Sequence, residues 1–151
     1  MNTVIEQIKS FLEEPDMTAA LANLSSLLKE TYPGTNWTGF YYVKNNELIL
    51  GPFQGRPACT HISFSKGVCG AAYRTSQTQL VPDVTAIADH IACDSASRSE
   101  LCVPVLVNGE CVLLIDMDAP TIAYFTEEMA AEQKEAAKEI ASAWIAHRWP
   151  N

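Results

Sequence analysis

Positive charge is scarce in this 151-residue chain: 10 Lys and Arg stand against 18 Asp and Glu, for a formal net charge of -8. Such a surface repels phosphate backbones, and the basic residues never gather into a cluster, so no nucleic-acid partner is expected. A cationic or zwitterionic small molecule fits the charge better. Long apolar runs are also missing. No segment approaches a membrane span, so no membrane partner is expected, and Met1 to Ile8 carries Glu6 and lacks the basic start and apolar core of a signal peptide. Repeats, low-complexity tracts and linkers are absent. The five cysteines include no C-x-x-C pair, and their odd number argues against a fixed disulfide scaffold. The expected setting is a reducing cytoplasm, where thiols stay free unless they are cycling. What is present is a hydrophobic content of 48%, enough for one globular unit over residues 1–151 with a real core.

The chain opens as helix, with Val4, Ile5, Ile8, Phe11 and Leu12 at helical spacing before Pro15. Asp16 is placed to cap a second helix carrying Leu21, Leu24, Leu27 and Leu28, which Pro33-Gly34 stops. Trp37 to Val43 and Glu47 to Leu50 read as a hairpin around Asn45-Asn46. From Gly51 to Ser99 strand signals are sparse: a short helix near Val68 to Arg74 and a short strand at Gln79 to Pro82 stand among long loops, where function tends to reside. Leu101 to Val107 and Glu110 to Met117 flank Asn108-Gly109, a strong hairpin signal. Thr126 then caps a last helix, with Glu127 and Glu128 in its first turn. Strands arriving as hairpins between terminal helices predict an α+β domain, an antiparallel sheet with the helices on one face.

Alternation along Glu110 to Asp118 puts Cys111, Leu113, Ile115 and Met117 on one side and Val112, Leu114, Asp116 and Asp118 on the other. A plain two-residue turn at Asn108-Gly109 would set Asp116 opposite Leu101 and point Glu100 away from it. Pro104 cannot donate to a ladder, and one extra residue there would bring Glu100 to the Asp116 side. A three-carboxylate pocket therefore predicts an irregularity near Pro104. In the plain register Cys111 lies opposite Leu106, too far from Cys102 for a disulfide, and both read as small buried apolar residues.

Cys59, Cys69 and Cys93 lie instead in Gly-, Pro- and His-rich sequence, where redox or metal chemistry is the better reading. Cys59 with His61, and His90 with Cys93, supply four donors for a tetrahedral zinc site, although no C-x-x-C anchors it. Cys69 stands at a helix start, a position that lowers a thiol's pKa.

Several of these stretches together resemble a family: Trp37-x-Gly39-Phe40-Tyr41, Leu50 to Gly55 with Ala58-Cys59, Gly67-Val68-Cys69-Gly70, Asp83-Val84, His90-Ile91-Ala92-Cys93-Asp94, Ser97-x-Ser99-Glu100 and Asp116-x-Asp118. In this order they are similar to the free methionine-(R)-sulfoxide reductases, which are built on a GAF domain, and the likeness covers nearly the whole chain. The resemblance implies a single GAF domain over residues 1–151, with an antiparallel sheet of about six strands, terminal helices on one face and active-site loops on the other. It implies reduction of free methionine-(R)-sulfoxide, rather than oxidised methionine within proteins, with thioredoxin restoring the thiols and no cofactor or metal. Cys93 matches the nucleophile and Cys59 the resolving thiol, while Cys69 matches a third cysteine whose role differs among members. Glu100, Asp116 and Asp118 match the acidic substrate site, and Trp37 and Tyr41 match aromatic residues near the substrate methyl.

The residues suit that chemistry. A thiolate attacking sulfoxide sulfur needs a proton delivered to the oxygen, and three carboxylates can pair with an α-ammonium that a residue inside a polypeptide lacks. A GAF-type small-molecule sensor and a zinc-binding module are the alternatives. The apolar faces of the terminal helices leave room for a homodimer, unless the sheet fills them.

Overall fold

The computed structural model describes residues 3–87 and 95–150. The first pair of helices is α1, Thr3–Phe11, and α2, Met17–Thr31. Asp16 caps α2 as expected, its carboxylate accepting from Ala19 N at 2.9 Å. A hairpin follows, β1 at Trp37–Lys44 and β2 at Glu47–Gly55. Asn45 and Asn46 both take left-handed φ, 56° and 61°, the twist that a two-residue hairpin turn requires. Next come β3 (His61–Ile62), α3 (Gly67–Thr75), β4 (Gln79–Val81) and a 3-10 turn at Val84–Ala86. A second hairpin, β5 (Ser99–Val107) and β6 (Glu110–Ala119), turns on Asn108 and Gly109, again both left-handed. The chain then enters α4, Glu127–Ala146, capped by Thr126.

The six strands form one antiparallel sheet in the order β3-β2-β1-β6-β5-β4. Its two faces carry separate cores. Helices α1, α2 and α4 bury Ile8, Leu21, Leu24 and Ile140 against Phe40, Leu113, Ile115 and Met117 on one face. The apolar faces of the terminal helices are thus filled within the chain, α4 packing on β5 and α1 on α2 and α4. The opposite face gathers Trp37, Tyr41, Leu114 and Cys102 beneath Val68, Cys69 and Ala72 of α3.

Several strand boundaries depart from the sequence reading. β2 continues through Gly55, where a loop was expected, because Gly51 and Pro52 together face Phe40 and the ladder resumes at Gly39 opposite Phe53. This extra residue explains how a proline sits inside the strand. β3, two residues long, carries too little pattern to be read from sequence. β5 begins at Ser99 and β6 ends at Ala119, each two residues beyond its apolar run.

The second hairpin contains the irregularity that a three-carboxylate pocket demands. Val107 faces Glu110 and Leu106 faces Cys111, but Val105 faces Leu113, so Val112 is the extra residue. It lies on β6, one pair closer to the turn than Pro104. Beyond it Asp116 faces Cys102, not Leu101, and Glu100 faces Asp118. The bulge also exchanges two residues: Val112 joins the helix-side core and Cys111 packs on the other face, opposite to plain alternation. Pro104 lies past the end of β4, whose pairing stops at Cys102.

Candidate active site

Directly opposed residues of adjacent strands project to the same face of a sheet. The pairs Gly39–Asp116, Trp37–Asp118, Cys102–Asp116 and Glu100–Asp118 therefore assemble one surface from β1, β6 and β5. Carboxylate oxygens of Glu100, Asp116 and Asp118 all lie within 4.8 Å of one another. Glu100 is 7% and Asp116 5% exposed. Burial, followed by the charges of Asp116 and Asp118, holds the Glu100 carboxyl well above the ordinary range. Burial raises Asp116 as well, opposed by hydrogen bonds from Glu100 and Cys69. The protonated form of Glu100 is thus favoured, and it donates toward Asp116.

Aromatic rings form the wall beside these acids. Trp37, 2% exposed, stacks on Phe53 at 5.1 Å and on Tyr41 at 5.9 Å. Two glycines allow this arrangement. A Cβ on Gly39 would lie 2.4 Å from Phe53 Cβ, and Gly55, at φ +138°, would place one 2.6 Å from Trp37 Cδ1. The Tyr41 hydroxyl donates to the Cys59 carbonyl at 2.9 Å, tying the wall to the Cys59 loop. Trp37 Nε1 and Asp116 Oδ1 are buried with no hydrogen-bond partner among the described residues. A donor and an acceptor left unsatisfied in one enclosure mark a place where a polar ligand would restore the missing bonds.

Cys69 sits in the first turn of α3, and its thiol donates toward Glu100 Oε2 at 3.7 Å. The contact with Cys102 and burial push this thiol well above its ordinary value, with Asp116 adding to the effect. The lowering expected from a helix start is overridden. Cys102 Sγ lies 3.5 Å from Cys69 Sγ, and burial pushes its thiol up to about 12. Cys111 is also a free thiol, raised by burial to about 11. Cys59 is disulfide-bonded. Cys93 and His90 lie outside the described residues. The segment before them is fixed where Val84 N donates to Arg98 O at 2.8 Å and Asp83 accepts from Thr85 N at 3.0 Å. The zinc reading loses one donor, since the Cys59 sulfur is engaged; His61 keeps Nε2, while its Nδ1 lies 2.8 Å from Glu47 Oε1.

Glu100, Asp116, Asp118, Trp37, Tyr41 and Cys69 are thus brought together, with Cys59 joined through Tyr41. Sequence reasoning missed Phe53 and Cys102 as members of this surface. Phe53 lay within a stretch singled out only as part of a pattern. Cys102 becomes visible once the extra residue at Val112 is counted, because it then faces Asp116.

No family model matches the chain. It is, however, 43% identical to the free methionine-R-sulfoxide reductase of Escherichia coli over 115 residues, covering 76% of this chain and 70% of that protein. Its structure matches that of the free methionine-R-sulfoxide reductase of Neisseria meningitidis in complex with its substrate, with a TM-score of 0.92 and 44% identity over 96% of this chain and 88% of the other. A solved GAF domain superposes with a TM-score of 0.86 at 38% identity, over 93% of this chain and 86% of its own. With the acidic and aromatic surface in place on this fold, the chain belongs to the GAF-fold family of free methionine-(R)-sulfoxide reductases.

Proposed function

We propose that this enzyme reduces free L-methionine-(R)-S-oxide with Cys93 as nucleophile, Cys59 as resolving thiol and thioredoxin as reductant. The observation that carries the reading is the convergence of Glu100, Asp116 and Asp118 beside Trp37. Asp116 and Asp118 would pair with the substrate ammonium, while the Trp37, Tyr41 and Phe53 rings receive its methyl end. Charge-assisted bonds of this kind restrict the site to the free amino acid, because an amide nitrogen carries no charge. Burial and the neighbouring acids favour the protonated form of Glu100, which suits it to protonate the sulfoxide oxygen as the sulfur is attacked.

In the first step the Cys93 thiolate attacks the sulfoxide sulfur and the S–O bond breaks. The oxygen leaves on the cysteine, giving methionine and Cys93 sulfenic acid, so two electrons have passed from the thiol to the substrate. The Cys59 thiol then attacks the sulfenic sulfur, an S–S bond forms and water departs. The engaged state of Cys59, beside three free thiols at Cys69, Cys102 and Cys111, supports it as the exchanging residue. A thioredoxin dithiol would take up the disulfide by exchange and itself become oxidised. The cytoplasm is the compartment that supplies such a reductant. Among the described residues no helix is long and apolar enough to cross a membrane. Cys69, protonated and bonded to Glu100, would position that acid, and a self-pairing through the terminal helices would have to use residues outside the sheet-packed faces, such as the exposed Ile145.

The test is methionine release from separated (R)- and (S)-sulfoxides, free and N-acetylated, with dithiothreitol as reductant. Turnover confined to the free (R) form, and abolished by Cys93→Ser while binding persists, is the expected result. No turnover of any form would instead make the site that of a ligand sensor.

A further inference from the structure

Beneath the acidic cluster lies a second set of potential ligands. Cys69, Cys102 and Asp116 are all buried, and each presents a donor atom within 4.8 Å of the others. The two sulfurs are 3.5 Å apart. A tetrahedral zinc ion with Zn–S bonds of about 2.3 Å holds its sulfurs roughly 3.7 Å apart, whereas a disulfide needs about 2.05 Å. Cys69 Sγ and Glu100 Oε2 are 3.7 Å apart, against roughly 3.6 Å for the sulfur–oxygen edge of the same polyhedron. The Asp116 carboxylate, 5% exposed, accepts from Cys69 and Glu100, and its Oδ1 is a buried acceptor still without a partner among the described residues. Two sulfur donors with carboxylate oxygen favour a thiophilic ion over magnesium or calcium.

We infer that the floor of this site binds Zn²⁺, or a thiophilic relative such as Cd²⁺, through Cys69 Sγ, Cys102 Sγ and the Asp116 carboxylate, with Glu100 Oε2 within reach as fourth donor. Binding forms two metal–sulfur bonds and releases the two thiol protons to solvent, with the Glu100 proton as a third where that carboxylate joins; nothing is oxidised. The ion is an inhibitor rather than a cofactor, because it occupies Asp116. That inhibitory role rests on the ammonium site proposed above, whereas the binding does not.

The direct test uses the reduced full-length C59S/C93S protein, which retains Cys69, Cys102 and Cys111. Titration with Cd²⁺, read by thiolate-to-metal charge-transfer absorption, should saturate at one ion per chain. Adding C111S should leave the band intact, adding C102S should remove half of it or more, and adding D116N should weaken binding at least tenfold. C69S provides a second thiol deletion should C102S fail to fold, with folding checked by thermal melting. No band, or a full band in both the C102S and C69S backgrounds, overturns the inference. With the intact enzyme, Zn²⁺ should inhibit competitively with the sulfoxide and a chelator should reverse it; tight binding without competition would overturn the inhibitory role. An enzyme inert toward every sulfoxide would refute the reductase reading while leaving the Cd²⁺ result interpretable.

Discussion

Cys69 Sγ lies 3.7 Å from Glu100 Oε2, so a thiol at the start of α3 and a carboxyl at the start of β5 share one buried enclosure. Contact with Cys102 together with burial raises Cys69, and burial raises Glu100, so both favour their protonated forms. The enclosure is therefore built around neutral donors, with Asp116 as the acceptor among them.

This arrangement makes stability depend on pH. In the unfolded chain Glu100 ionises near its ordinary value of 4.5, and in the folded chain well above it. Between those two values the native state binds more protons, so the contribution of Glu100 to stability falls as pH rises. The destabilisation is absent below the unfolded value and complete above the folded one. Asp116, also raised, acts with the same sign. The ligand-free melting temperature should decline less steeply from about pH 5 to about pH 8 in Glu100→Gln than in the wild type. Equal slopes by calorimetry would show that Glu100 titrates normally.

Asp118 and Glu100 face one another across β5 and β6 but should fail differently. On the role proposed for it, Asp118→Asn removes an ammonium partner worth about 1.5–3 kcal/mol, so KM should rise roughly ten- to a hundredfold with kcat little changed. Glu100→Gln keeps the shape but cannot deliver a proton, and should lower kcat by about a hundredfold or more. Steady-state kinetics on free methionine-(R)-sulfoxide separate the two, and a pure KM effect for Glu100→Gln would remove it as the acid.

Gly55 holds an extreme backbone angle, φ +138°, against Trp37. Gly55→Ala should cost about 1–3 kcal/mol from the backbone alone. The new Cβ would also push on the Trp37 indole, 2.6 Å away, so KM should rise in parallel. Chemical denaturation combined with kinetics checks both, and a stable variant with unaltered KM would show that the rings are not held by this contact.

The Asp16 cap supplies the contrasting case. Asp16→Ala removes its 2.9 Å bond to Ala19 N, and should cost about 1 kcal/mol while leaving kcat/KM unchanged, because α2 lies on the other face of the sheet. A fall in activity beyond that explained by unfolded protein would reveal coupling between the two faces.

Much of the frame was legible in the sequence because it is written locally. Asn45-Asn46 and Asn108-Gly109 announce their turns, Asp16 and Thr126 cap their helices, and apolar spacing marks which helix faces are buried. The site was harder because it depends on register. Alternation assigned Asp116 and Asp118 to one side correctly, and Pro104 hinted at a bulge, but nothing local identifies Val112 as the residue left unpaired. Cys69 illustrates the other limit. Its helix-start position suggests a lowered pKa, yet burial and the neighbouring Cys102 reverse the sign, and both come from packing between distant segments. β3 is a two-residue strand set by its partner β2 rather than by its own pattern.

Val112 carries a consequence for how this site can arise and be lost. In the plain register no choice of side chain at position 116 would meet Glu100, because the two backbones would present opposite faces. Point substitution could travel through many sequences without assembling the three acids. Insertion of one residue between the turn and the distal half of β6 brings both β6 acids to Glu100 at once, and its deletion separates them at once. The mutational neighbour of this site is therefore a chain one residue shorter, with each of its side chains still in the sequence and the acids on opposite sides of the sheet.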